Sequence, residues 1–248
     1  MKAVIPLRFK LLAVVTAALS TAAWAQTNVQ LHYDLGHDIY GHRLSSRPRI
    51  TATVESFTPD RWGSTYFFID ADINPKAVRS AYGEVSREFN IGSKGWAAHV
   101  EFNGGLSGAS GSYDNAYLAG PAWSWLSGCR RKSFSLQVLY KYLCTPSHHG
   151  GKPHSVQLTE VWSVTSASGL LRFSGYCDVW YDGGATNHLV LSSEPQLWLN
   201  LWCLPSVADD VHLSIGTEWE VTKNLVWDAE GHNNRWYVIP TAALKWTF

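Results

Sequence analysis

Residues Trp236–Phe248 read W-Y-V-I-P-T-A-A-L-K-W-T-F. Side chains alternate across a strand with period two. Trp236, Val238, Pro240, Ala242, Leu244, Trp246 and Phe248 therefore share one face, and Tyr237, Thr241, Lys245 and Thr247 the other. The first face is apolar from end to end. In a soluble sandwich, the last position of that face would set a free carboxylate beside a buried aromatic. In an outer-membrane barrel the same ending is expected, because the closing strand places its terminal aromatic in the interfacial girdle.

Working back from this stretch, the same alternation recurs in about twelve segments of roughly ten residues, a length that suits a tilted membrane-spanning strand. Thr65, Phe67, Ile69 and Ala71 oppose Ser64, Tyr66, Phe68, Asp70 and Asp72. Trp96, Ala98, Val100 and Phe102 oppose Ala97, His99, Glu101 and Asn103. Leu171, Phe173, Gly175, Cys177, Val179 and Tyr181 oppose Arg172, Ser174, Tyr176, Asp178 and Trp180. Three irregularities stand out: Arg87 interrupts an apolar face, Pro121 lies inside a strand, and Glu160 shares a face with Val156, Leu158, Trp162 and Val164. No helical period competes. The predicted architecture is all-β, an antiparallel up-and-down transmembrane barrel of about 12 strands. If the first strand rises from the periplasm, both termini lie there. Gly41–Pro48, Gly104–Asn115 and Thr145–Pro153 then become outer loops, and Thr58–Arg61 and Ser166–Gly169 inner turns.

Lys2, Arg8 and Lys10, an apolar run over Leu11–Leu19 and the A-x-A pattern Ala23-Trp24-Ala25 predict a signal peptide over 1–25, leaving the barrel at 26–248. The apolar run is too short for a membrane helix. The predicted cut removes three of the 20 Lys+Arg and none of the 20 Asp+Glu, so the remainder is mildly acidic and nothing points to nucleic acid. Aromatics at 13%, with 13 Trp, accompany a mean hydropathy of −0.12. That pairing fits a barrel with an apolar exterior and a polar lumen, and it also fits a secreted glycan-binding β domain with a Trp platform. Cys129, Cys144, Cys177 and Cys203 are widely spaced and read as incidental thiols.

Arg61-Trp62-Gly63-Ser64-Thr65-Tyr66-Phe67-Phe68-Ile69-Asp70, Tyr82-Gly83-Glu84-Val85-Ser86-Arg87-Glu88-Phe89 and Ala98-His99-Val100-Glu101-Phe102-Asn103-Gly104-Gly105 resemble a domain-of-unknown-function family of outer-membrane proteins. Asn115–Gly120, Glu194–Trp198 and Pro240–Phe248 extend the likeness over the whole predicted mature chain. That family is similar to the nucleoside-specific channels of the Tsx type, narrow twelve-stranded barrels lined by aromatic and ionisable side chains. The W-G-x-x-Y-x-F-x-D stretch, Trp62–Asp70, is the part shared with that wider group. The resemblance implies passive passage of small polar solutes, with nucleosides as the solute class.

The inward face then carries the chemistry. Its candidate solute-binding residues are Tyr66, Phe68, Asp70, Asp72, Tyr82, Glu84, His99, Glu101, Arg172, Tyr176, Asp178 and Trp180, joined on the same side by Glu194, Glu218 and Glu220. Carboxylates at mid-depth must face water or partners, not lipid. Aromatic faces offer stacking to a flat base or sugar, and carboxylates accept hydrogen bonds from hydroxyls. The same residues also suit a plugged lumen in which Arg172 and the carboxylates neutralise one another. A hydrolase would need a Ser–His pair, for which spacing offers only His188 with Ser192 or His212 with Ser214, without a local nucleophile signature. His148, His149 and His154 read as a solvated loop, so neither metal nor cofactor is expected. The expected surroundings are outer-membrane lipid and, during biogenesis, the outer-membrane assembly machinery, around a monomer. A barrel serving only as a structural surface protein is the remaining alternative.

Overall fold

The computed structural model describes residues 26–108, 111–144, 152–182, 188–208 and 210–248. The predicted signal segment and the His148–His149 pair lie outside them. Strands run in chain order: β1 (Gln26–Asp34), β2 (Ile50–Asp60), β3 (Gly63–Ile73), β4 (Val78–Ile91) and β5 (Trp96–Ser107). Then come the two-residue β6 (Gly111–Ser112), β7 (Ala116–Leu126), β8 (Lys132–Leu143), β9 (His154–Thr165) and β10 (Leu171–Asp182). Last are β11 (His188–Ser193), β12 (Gln196–Asn200), β13 (Leu213–Lys223) and β14 (Trp236–Thr247). β11 and β12 pair with β10 in one register and form a single stave broken at Glu194 and Pro195. Proline there has no N–H to give a ladder.

Each stave pairs antiparallel with the next, and β14 closes on β1 with Leu31 opposite Leu244 and Tyr33 opposite Ala242. The result is a closed, twelve-stave meander. Closure matters because lipid supplies no hydrogen bonds, so every backbone N–H and C=O in the span needs a partner on a neighbouring strand. The predicted alternation appears as exposure. Along β14, Trp236, Val238, Ala242, Leu244 and Trp246 are exposed, whereas Tyr237, Ile239 and Ala243 are buried. Ile69, Val85, Val100, Val138, Val156, Phe173 and Ile215 continue the outward apolar surface around the barrel.

Aromatics edge that surface. Trp62, Trp96, Trp125 and Trp246 ring one end, Tyr33, Tyr117, Tyr140 and Tyr181 stand toward the other, and Trp236 extends beyond the end of β1. Eight positions separate Tyr117 from Trp125 on β7. At about 3.4 Å per residue and a tilt of about 40° this spans about 21 Å, close to the height of an outer-membrane apolar band. Both ends of the barrel domain and most of the tight turns lie at the Trp-rich end, the longer Leu201–His212 connection being the exception, and most of the longer connections lie at the other, beside the short Asn74–Ala77 turn; this matches the periplasmic and outer sides of such barrels.

The irregularities resolve locally. Arg87 does face outward, but it lies at the Trp-rich end, where its guanidinium bonds Asp60 at 2.7 Å and 2.9 Å and leans over Phe89. Its stem covers apolar surface while the charge stays paired. At Pro121 the ladder to β8 lapses and resumes in the same register, while pairing with β5 continues through Ala98. Glu160 keeps its outward position between Leu136 and Cys177. The four cysteines are unpaired thiols.

Two outcomes follow. Leu244 is exposed between Leu31 and Ile215, midway between the levels of Trp246 and Tyr33, so Leu244→Arg should cost about 2–4 kcal/mol of unfolding free energy in lipid, whereas Phe248→Arg at the rim should cost about 0–1. Reversible urea unfolding in vesicles measures both, and equal costs would refute the depth assignment. Cys129 lies in the β7–β8 turn, where the Ser127 hydroxyl and then the Arg131 amide lower its thiol to about 7. The thiolate reacts, so labelling by an impermeant maleimide should rise as pH passes upward through 7. In intact cells it should require permeabilisation of the outer membrane, and labelling without it would reverse the orientation.

Candidate functional site

All twelve sequence-predicted residues lie on strands whose inward parity follows from the pairings. Asp70 faces Tyr82 across β3–β4, Phe68 faces Glu84, His99 faces Glu88 across β4–β5, and Asp178 faces Thr159 across β9–β10. Three of the rings form a ladder on one wall. Tyr66 and Phe68 have centroids 6.3 Å apart, Phe68 and Tyr82 6.1 Å, and Tyr82 meets Tyr113 edge-on at 5.9 Å. Tyr176 and Trp180 lie on β10, on a different part of the wall. Arg172, at the start of the same strand, takes no part in the ion pairs found among the described residues.

The carboxylates are held mostly by neutral donors on the adjacent strand. Thr51 and Ser80 donate to Asp72 at 2.9 and 2.6 Å, and Thr53 donates to Asp70 at 2.5 Å. Tyr82 donates to Glu84 at 2.8 Å, Gln30 to Glu55 at 2.9 Å, Gln196 to Glu218 at 2.5 Å and Thr159 to Asp178 at 2.5 Å. His99 bridges Glu101 at 3.1 Å and Glu88 at 3.5 Å. Most of these bonds run along the wall rather than across it. They fix side-chain direction without cancelling charge, so the mutual neutralisation by Arg172 is not the arrangement found.

Sequence reading underplays three features. Trp198 is fully buried, facing inward between Gln196 and Asn200, and Lys245 sits over its ring at 3.7 Å. Gly216 makes room for it, since a Cβ there would lie 2.5 Å from the indole. Parity with Gln196 and Asn200 puts Trp198 on the inner face, but a reading that looks for polar residues there leaves it unassigned. Lys141 on β8 donates to Gln157 at 2.7 Å and lies 4.0 Å over Trp180.

The third feature is the first outer loop, expected as a polar loop over Gly41–Pro48. It folds instead into α1 (Gly36–Tyr40) and a 3₁₀ turn (Gly41–Leu44). Leu44 is fully buried against Tyr237 and Ile239 on the inner face of β14. Arg47 then forks between Asp34, at 2.9 and 3.1 Å, and Glu220, at 2.6 Å. Because β1 ends at Asp34, the upper edge of β14 lacks a strand partner there; the Tyr40 hydroxyl both accepts from Val238 N–H and donates to its carbonyl. A loop that looked solvated thus narrows the outer mouth.

The two Ser–His pairings are not joined. Ser192 contacts the Tyr176 hydroxyl at 3.4 Å, Ser214 donates to Asn200, and His212 pairs with the Thr247 carbonyl. His154 meets the Tyr140 hydroxyl.

A closed barrel with this acidic, aromatic lumen can be set beside known proteins. The description Domain of unknown function (DUF5020) covers residues 25–248. The chain belongs to that family. No curated protein matches it in sequence. Among solved structures, the NanC porin is similar at 9% identity and TM-score 0.55, over 90% of this chain and 98% of that one. The KdgM porin in complex with disordered oligogalacturonate aligns at 9% identity and TM-score 0.47, over 90% and 99% of the two chains. OccK5 of Pseudomonas aeruginosa aligns at 8% and 0.40, over 89% and 62%. The likeness to NanC is one of fold, an outer-membrane porin architecture.

Arg47→Ala would leave Asp34 and Glu220 facing each other. The lost charged hydrogen bonds, discounted for partial exposure, should cost about 1–2 kcal/mol of loop docking. Limited proteolysis within 36–48 should then accelerate roughly ten-fold, and an unchanged rate would show that the fork does not hold the loop.

Proposed function

We propose that this barrel is an outer-membrane channel for passive diffusion of small polar solutes. The observation that carries the reading is the ladder Tyr66, Phe68, Tyr82 and Tyr113 set beside Asp70, Asp72 and Glu84. Stacked rings give weak contacts to any flat solute, and adjacent carboxylates accept its hydroxyl or amino protons. Repeated weak sites let a solute enter and leave again. No step of this kind needs a nucleophile, metal or cofactor.

Nucleosides are the solute class that the Tsx resemblance names, and a base over the ladder with its ribose toward Asp70 and Glu84 suits that chemistry. Tyr176, Asp178 and Trp180 on β10 would line the lumen at the ladder's own level, while His99 and Glu101 on β5 and Arg172 near the inner end would continue the lining toward the periplasm. The barrel would act in outer-membrane lipid as a monomer, after folding by the outer-membrane assembly machinery.

Refolded protein in a planar bilayer, with adenosine and thymidine titrated in, tests the proposal. Small conductance steps should be blocked by either nucleoside, and Tyr66→Ala should weaken the block by about 1–3 kcal/mol, the worth of one base–aromatic stack. Insertion without conductance would refute the channel, and conductance indifferent to nucleosides would refute the solute class.

A further inference from the structure

We propose that the lumen selects small organic cations bearing N–H donors, amines and guanidiniums, and holds back anions of the same size. This rests on the channel reading above, independently of the nucleoside reading, and ranks small polar solutes by charge. Carboxylates outnumber the permanent cations on the inner wall, and the donors that fix them are chiefly hydroxyls and amides, so the charge is left for a solute to meet. Low-dielectric walls focus such a field along a narrow tube.

A second, independent observation points the same way. Asn103 and Gln137, 5% and 7% exposed, each face the lumen with an amide oxygen that has no hydrogen-bond partner among the described residues. Asn103 stands opposite Glu84 across β4–β5 and two positions from Glu101 on the same face. Gln137 reaches Glu88 with its amide nitrogen, which leaves the oxygen free. Both orphans are acceptors in a wall already rich in acceptors. A buried acceptor left unpaired is costly, and a solute with several N–H groups supplies what the wall lacks.

The protein's own lysines illustrate the recognition. The Lys141 and Lys245 ammonium groups lie 4.0 and 3.7 Å over the rings of Trp180 and Trp198. An ammonium between an indole face and nearby carboxylates is thus already an accommodated state of this interior.

The test is the reversal potential of the refolded full chain under a potassium chloride gradient. Block is then compared among putrescine, butanediol and succinate, four-carbon probes that differ in charge. The expected potassium-to-chloride permeability ratio is about ten near 0.1 M salt, falling toward unity near 1 M as the field is screened. Putrescine should block at least ten-fold more strongly than butanediol, with succinate weakest. Glu84→Gln with Glu101→Gln should lower the permeability ratio. Asn103→Leu with Gln137→Leu should weaken putrescine block several-fold at an unchanged ratio, and the single Gln137→Met serves if the double variant does not fold. An open pore with a ratio at or below unity, or with putrescine no better than butanediol, overturns the inference while leaving the channel intact. A protein that inserts and stays silent removes the channel, and the inference with it.

Discussion

The constraint on which the structure depends is that lipid offers no hydrogen bonds to the backbone. A strand in the bilayer must be paired along both edges, and only a closed sheet leaves none unpaired. Closure of β14 on β1 meets this condition. Where β1 stops short, at Asp34, the condition is met by other means: Leu35 N–H bonds the Pro240 carbonyl and the Tyr40 hydroxyl takes both groups of Val238. The inward fold of the first loop is therefore tied to the length of β1. Once the chain must turn over the edge of β14 in this way, Leu44 and Arg47 are carried into the mouth.

Closure also divides the side chains into two solvents. The outward set faces hydrocarbon and gains nothing from polarity, while the inward set gathers the carboxylates that the outside excludes. Their crowding is tolerated because most find a hydroxyl or amide donor, as Asp70 finds Thr53 and Asp178 finds Thr159 on the neighbouring strand. The lumen therefore has oriented side chains without charge neutrality, which suits recognition by many weak contacts better than bond-making chemistry.

Much of this was legible in the sequence because strand parity is a strict rule. From Tyr66 to Asp72, and from Tyr176 to Trp180, each inward residue could be assigned by counting alone. Counting failed where polarity and parity disagreed. Trp198 is apolar and inward, and Leu118 and Leu139 are buried on the inner face of β7 and β8, so a reading that equates apolar with outward passes them by. It failed also at Gly41–Pro48, where the polar letters gave no sign that Leu44 would find Tyr237 and Ile239, partners nearly two hundred residues away. Whether a lumen carboxylate meets an arginine or a threonine depends on register between strands, which no single strand encodes.

The proposed arrangement, lipid outside and a water-filled acidic lumen inside, is tested most directly by a cysteine scan of β3 in vesicles. Single cysteines are placed at each position from 65 to 72 in a chain freed of its native thiols and treated with an impermeant maleimide. The account predicts that replacements of Tyr66, Phe68, Asp70 and Asp72 react, while those of Thr65, Phe67, Ile69 and Ala71 are shielded by lipid. Shielding at every position would mean a plugged barrel, and the reverse alternation would contradict the fold assignment itself.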